Sequence, residues 1–173
     1  MSDSDALNLG LLVFRIAVAI VFLAHGIRHI FGGGKIAGTA GWFESLGMRP
    51  GIVHAWFASI TEIAAGVLLI LGLLTPLAAA GVTGTMAVAW ITNHLKNGFF
   101  IFRPGEGYEY VLVLIAAAAC IGAIGGGQVS LDNAFGIADD LDGPIGAAIA
   151  VLGGGAGAAL TLALFWRPDR QPS

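Results

Sequence analysis

Charge is scarce in this chain. Asp, Glu, Lys and Arg make up 11% of its 173 residues, 57% are hydrophobic, and the mean hydropathy is +0.85. Soluble domains carry about 25% charged residues. A water-soluble globular domain is therefore excluded, and an integral membrane protein is expected. Cysteine is nearly absent. The single Cys120 can form no internal disulfide and no CxxC redox pair. Within the apolar run 111–124 it reads as a small packing residue. No Walker loop, dinucleotide-binding glycine pattern or zinc-ligand spacing occurs, so no metal is expected. The basic residues do not gather into a surface for nucleic acid. No internal repeat is found, which argues against a transporter built from repeats.

Apolar length is what the chain has instead. Five runs, 9–30, 52–74, 77–95, 108–124 and 145–166, are each long enough to cross a hydrocarbon core of about 30 Å. The polar start, 1–8, carries Asp3 and Asp5 rather than the positive charge of a secretory signal. The first run therefore reads as a retained helix. Segment 31–51, broken by glycines and Pro50, has room for a short interfacial helix near 40–46. Thr75-Pro76 is a tight turn that makes the second and third runs an antiparallel hairpin. The expected fold is all-α. Residues 1–125 form a compact antiparallel four-helix transmembrane bundle, 126–144 an acidic glycine-rich loop, 145–166 a fifth transmembrane helix, and 167–173 a tail.

The charges divide by face. Arg28, Lys35, Arg49, Lys96, Arg103, Arg167 and Arg170 fall on one side of the expected membrane. The acidic N-terminus and Asp132, Asp139, Asp140 and Asp142 fall on the other. The positive-inside rule then places the N-terminus outside and the C-terminus in the cytoplasm. The aspartates lack the alternating spacing of a calcium loop and read as a solvated loop.

Polar residues inside the runs draw attention because they are costly there, by roughly 2.5–3.5 kcal/mol for a charge at mid-bilayer. Glu62 lies in the middle of the second run. Ala55, Ala58, Ser59, Ala65 and Gly66 share its helical face, leaving a narrow side on which another helix can pack closely. Arg15 lies in the first run and Thr85 on a small-residue face of the third. An intramembrane cluster of Arg15, Glu62 and Thr85 is expected. It is either a buried ion pair that fixes helix register or a proton or ligand site. A second group gathers near the basic ends of the helices: His25, Arg28, His29, Glu44, Arg49, His94, Asn97 and Glu109. This vestibule suits histidines bonded to loop backbone, an anionic lipid headgroup, or a quinone ring. In the fifth run Gly146, Ala150, Gly153 and Gly157 form a small-residue stripe. It serves close helix packing, within the chain or with a partner helix.

Taken in order, Arg15, HGIRHIFGGG at 25–34, GTAGWFESLGMRPG at 38–51, Glu62, GLLTP at 72–76, NGFF at 97–100 and GYEY at 107–110 resemble the DoxX family of small bacterial membrane proteins. The resemblance covers about the first 125 residues. It implies a four-helix bundle in the bacterial plasma membrane and a link to membrane redox chemistry. Related chains are subunits of a thiosulfate–quinone oxidoreductase, and others are tied to thiol stress. It carries over Arg15, Gly26, Glu62 and Gly72, with Arg28 standing where lysine is usual. The acidic loop and the fifth run lie outside it.

Two main functional expectations follow. In the first, the chain is an accessory subunit that sits in the lipid bilayer and docks to other integral membrane proteins in a larger redox or transport complex, without catalysis of its own. In the second, it is a quinone-linked membrane oxidoreductase subunit acting on small sulfur or thiol compounds. A small transporter is the third and weakest reading.

Overall fold

The computed structural model describes residues 2–168, and every regular element among them is helical. Helix α1, Asp3–Phe31, starts earlier than its apolar run because Ser2 caps it. The Ser2 hydroxyl accepts from the Asp5 N–H at 3.2 Å, and the Asp5 carboxylate accepts from the Ser2 N–H at 2.9 Å. This reciprocal capping satisfies amides that the helix itself cannot. Helix α2, Lys35–Ser45, forms where the short helix near 40–46 is expected and is longer than its sequence suggests. Helix α3, Gly51–Leu71, is shorter than the run 52–74 because Gly72 turns left-handed at φ +61° and stops it. Helix α4, Thr75–Ala89, opens on Pro76 and continues without a break through a π turn, Trp90–His94, and a 3₁₀ turn, Leu95–Asn97. Helix α5 is Glu109–Ile124. Short helices α6, Leu131–Ala134, and α7, Ala138–Leu141, follow. The last long helix is α8, Gly143–Ala148, a π turn, Ile149–Gly153, and α9, Gly154–Phe165.

Asp3–Phe31, Gly51–Leu71 and Gly143–Phe165 are long and apolar enough to cross a membrane, and α5 is a shorter apolar helix. Val13, Ile20, Ile60, Val113 and Leu152 are all more than half exposed, as lipid-facing side chains are. The protein is an all-α membrane protein.

Small residues set the packing. A Cβ added at Gly26 would strike the Ile63 side chain and crowd Ser59 O and the Glu62 Cβ. One added at Gly66 would strike Ala19 O and Leu23, and one at Gly72 would strike the Arg15 guanidinium. These three contacts define an antiparallel pair in which α1 and α3 run backbone against backbone. Helix α4 packs on α3, α5 and α9. Between them Phe22, Leu69, Val82, Ile121 and Ala150 fill a buried core.

That register separates the two charges expected to pair. Arg15 lies beside Gly72, which is ten residues, or about 15 Å, beyond Glu62 along α3. The reach of both side chains does not close the gap once the helices are locked glycine to backbone. The expected cluster of Arg15, Glu62 and Thr85 is therefore corrected. Arg15 leaves it, while Glu62 and Thr85 line one cleft.

Arg15 instead anchors the acidic loop. Its guanidinium is fully buried, and Nη2 donates to Val129 O at 2.7 Å. Asp132 is itself fully buried, and its two carboxylate oxygens accept from the N–H groups of Leu74, at 2.6 Å, and Thr75, at 2.9 Å. It thereby caps α4 and holds Leu74 in its left-handed conformation, φ +47°. This also corrects the reading of a purely solvated loop. The loop folds down where Arg15 bonds the Val129 carbonyl and the open end of α4 takes the Asp132 carboxylate.

Candidate functional site

A cleft of about 1120 Å³ runs along the bundle. Helix α4 forms its floor, with Ala78, Gly81, Thr85 and Thr92 facing in. Helix α3 forms one wall and α9 the other. The end away from Asp132 is closed by a strap between the fifth helix and the α2–α3 connection. There Arg49 N donates to Phe165 O at 3.1 Å, Arg167 N to Gly47 O at 2.7 Å, and the Trp166 indole to Leu46 O at 3.0 Å.

The polar groups of the cleft gather at this closed end. All four histidines of the chain, His25, His29, His54 and His94, line it. Glu62 lies 96% buried, and its Oε2 is 3.2 Å from His29 Nδ1. The two atoms are at ion-pair distance but not in hydrogen-bond alignment, so both keep hydrogen-bonding capacity. His54 is 96% buried, stacks edge-on to Phe165 at 5.0 Å, and has no partner at Nε2. His94 is committed through Nδ1 to Glu106 O at 2.9 Å. Trp42 and Phe43 bring aromatic surface from α2. No three His, Cys, Asp or Glu side chains converge to hold a metal ion among the described residues. The arrangement is an elongated apolar trough with hydrogen-bonding groups at one end. Such a shape can bind an amphiphile, fix its polar head and exchange protons with it.

Comparison with known proteins bears on the same residues. The DoxX family model matches residues 10–95. The chain is 34% identical over 127 residues to the inner membrane protein YphA of Escherichia coli (strain K12), a match covering 71% of this chain and 88% of the relative. The chain belongs to the DoxX family. No solved structure matches it.

The DoxX match runs from α1 to the end of the π turn of α4 and contains Arg15, Gly26, Glu62 and Gly72. These four form two unlike pairs: Gly26 against Glu62, and Gly72 against Arg15. Each charged residue thus sits where the opposite helix has no side chain. The α9 wall of the cleft lies outside the matched residues.

The vestibule residues separate by role. His25, His29 and His94 line the cleft, whereas Arg28 is exposed outside it. Glu44 accepts from Gly51 N at 3.2 Å, capping α3. Glu109 accepts from Ile101 N at 2.9 Å, and Asn97 donates to Gly105 O at 2.6 Å. Both therefore shape a loop. Arg49 belongs to the strap through its backbone. In the expected stripe, Gly146 packs on Gly122 O and Ala150 is fully buried, so both are corrected to contacts within the chain. Gly153 and Gly157 face the cleft. Arg170 lies outside the described residues. Sequence reasoning missed His54. Its only signal was a histidine on the Glu62 side of α3, four residues before Ala58.

Proposed function

We propose that this DoxX protein binds a quinone-class amphiphile in the cleft and presents it to a membrane redox partner, as a non-catalytic accessory subunit of the bacterial plasma membrane. The observation that carries this reading is the join of a long apolar trough to the histidine–Glu62 end. A quinone head placed there finds a donor in His29 and, once reduced, an acceptor for its hydroxyl in the unpartnered His54 Nε2, with Glu62 beside His29 to hold a proton. The tail follows the floor of α4. Charge distribution supports an orientation with the histidine end toward the cytoplasm.

Docking through α9 alone is a poorer reading. In the small-residue stripe that runs from α8 to α9, Gly146 and Ala150 are spent within the chain, and Gly153 and Gly157 line the cleft. A partner helix using them would compete with the ligand.

The test is quenching of Trp42, which lines the cleft, in protein purified in mild detergent and titrated with a short-tailed quinone. Saturable quenching, lost in Trp42→Phe and weakened about tenfold or more in Glu62→Ala, is expected. Linear, unsaturable quenching refutes the reading.

A further inference from the structure

We propose that the loop between α4 and α5, residues 98–108, lies inside the membrane, with Phe99, Phe100 and Phe102 packed against phospholipid acyl chains at the histidine end of the bundle. This placement holds whatever the cleft binds.

The helices leave a step there. Helix α5 has 16 residues, about 24 Å at 1.5 Å per residue, and falls short of a hydrocarbon core of about 30 Å. Helix α4, beside it, is longer. Tyr108, at the start of α5, lies against Trp90 with ring centroids 5.7 Å apart, yet the α4 segment runs on through its π and 3₁₀ turns to Asn97. That is seven more residues, or about 10 Å. The loop fills the step above α5, and what it shows on its outer side is apolar. Phe102 is 79% exposed and stacks on Phe100 at 5.1 Å, and Phe99 meets Tyr108 edge-on at 5.6 Å.

The backbone is bonded as lipid requires. Inside hydrocarbon no water satisfies a free amide, so irregular chain is tolerated only where protein groups bond it. Here Ile101 N donates to the Glu109 carboxylate at 2.9 Å. The N–H groups of Arg103, Glu106, Gly107, Tyr108 and Glu109 each donate to a carbonyl of the loop itself, at 2.8–3.1 Å. The Asn97 amide covers Gly105 O at 2.6 Å and Glu106 O at 3.1 Å. A Cβ on Gly107 would strike the carbonyls of Gly98, Phe99 and Phe100, so the chain closes tightly on itself. A loop bathed in water has no need of this, because solvent bonds its amides. Two cations fix the depth. Lys96 and Arg103, both exposed, flank the phenylalanines. Their charge complements headgroup phosphates, and their stems reach them from the hydrocarbon edge.

The test is accessibility to collision reagents in vesicles of phosphatidylethanolamine and phosphatidylglycerol. Cys120, which is exposed, is first replaced by Ser, and a nitroxide is attached at Phe102→Cys. Ile20→Cys, lipid-facing on α1, and Asp139→Cys, exposed in the acidic loop, are the references. Phe100→Cys is a second reporter, and melting curves check that each protein is folded. Both loop labels should collide with dissolved oxygen in preference to a water-soluble nickel complex, as the Ile20 label does, with a ratio severalfold above that at Asp139. A nickel preference like that of Asp139 overturns the proposal, since the loop then stands in water. Shielding from both reagents overturns it too, because a second copy of the chain then covers the phenylalanines. Neither outcome bears on quinone quenching of Trp42.

Discussion

Glu62 meets His29, at 3.2 Å, and not Arg15. The histidine lies one turn beyond Gly26, the glycine that lets α3 lie against α1. The same close approach that makes the pair also carries Arg15 to the far end of the bundle. The two intramembrane charges therefore serve different purposes.

A double-mutant cycle follows from this. Arg15→Met and Glu62→Gln should be additive within about 0.5 kcal/mol in thermal or chemical denaturation, as independent sites are. His29→Phe and Glu62→Gln share a contact and should couple by about 0.5–3 kcal/mol. Coupling between Arg15 and Glu62 would contradict the register.

Asp132 is the partner whose loss should hurt most. Asp132→Ala strips two backbone amides of their acceptor. The expected loss is about 1–3 kcal/mol for each buried amide left without an acceptor. The melting temperature in detergent reads it.

The acidic loop should also give a pH signature. Burial, with the nearby charges of Asp132 and Asp139, raises the Asp142 pKa above its ordinary 3.8, and Oδ1 is buried without a partner. A carboxyl that holds its proton more tightly when folded stabilises the fold only while protonated, and that contribution is lost as pH rises through the raised value. Asp142→Asn should therefore melt higher than wild type at neutral pH. The gap should shrink as pH falls toward 3.8.

Two glycines should separate sharply. Gly72→Ala places a methyl on the Arg15 guanidinium at a left-handed φ of +61°, and about 1–3 kcal/mol should be lost. Gly155→Ala meets open space and should be neutral or slightly stabilising. Circular dichroism melts of the two variants distinguish them.

Much of the fold was legible in the chain because bilayer length and helix-stopping residues are local signals. The α3 face holding Ala55, Ser59, Glu62, Ala65 and Gly66 is buried as its spacing implies. Partners were less legible. Depth counted from the ends of apolar runs misplaced Arg15, since α1 begins at Asp3 and α3 stops at Leu71. Nothing local reveals that Asp132, far along the chain, folds back to cap α4. The strap that closes the cleft was equally hidden. It joins residues 46–49 to 165–167 by two backbone hydrogen bonds and the Trp166 indole, and nothing in the sequence marks their carbonyl partners.

That strap imposes an order on biosynthesis. Its two halves emerge from the ribosome more than a hundred residues apart, so helices α1 to α5 can insert and pair while the trough still lacks a wall. The nascent chain passes through a stage with the histidine end exposed along one flank. A ribosome stalled before the last helix would display an open groove without its far wall.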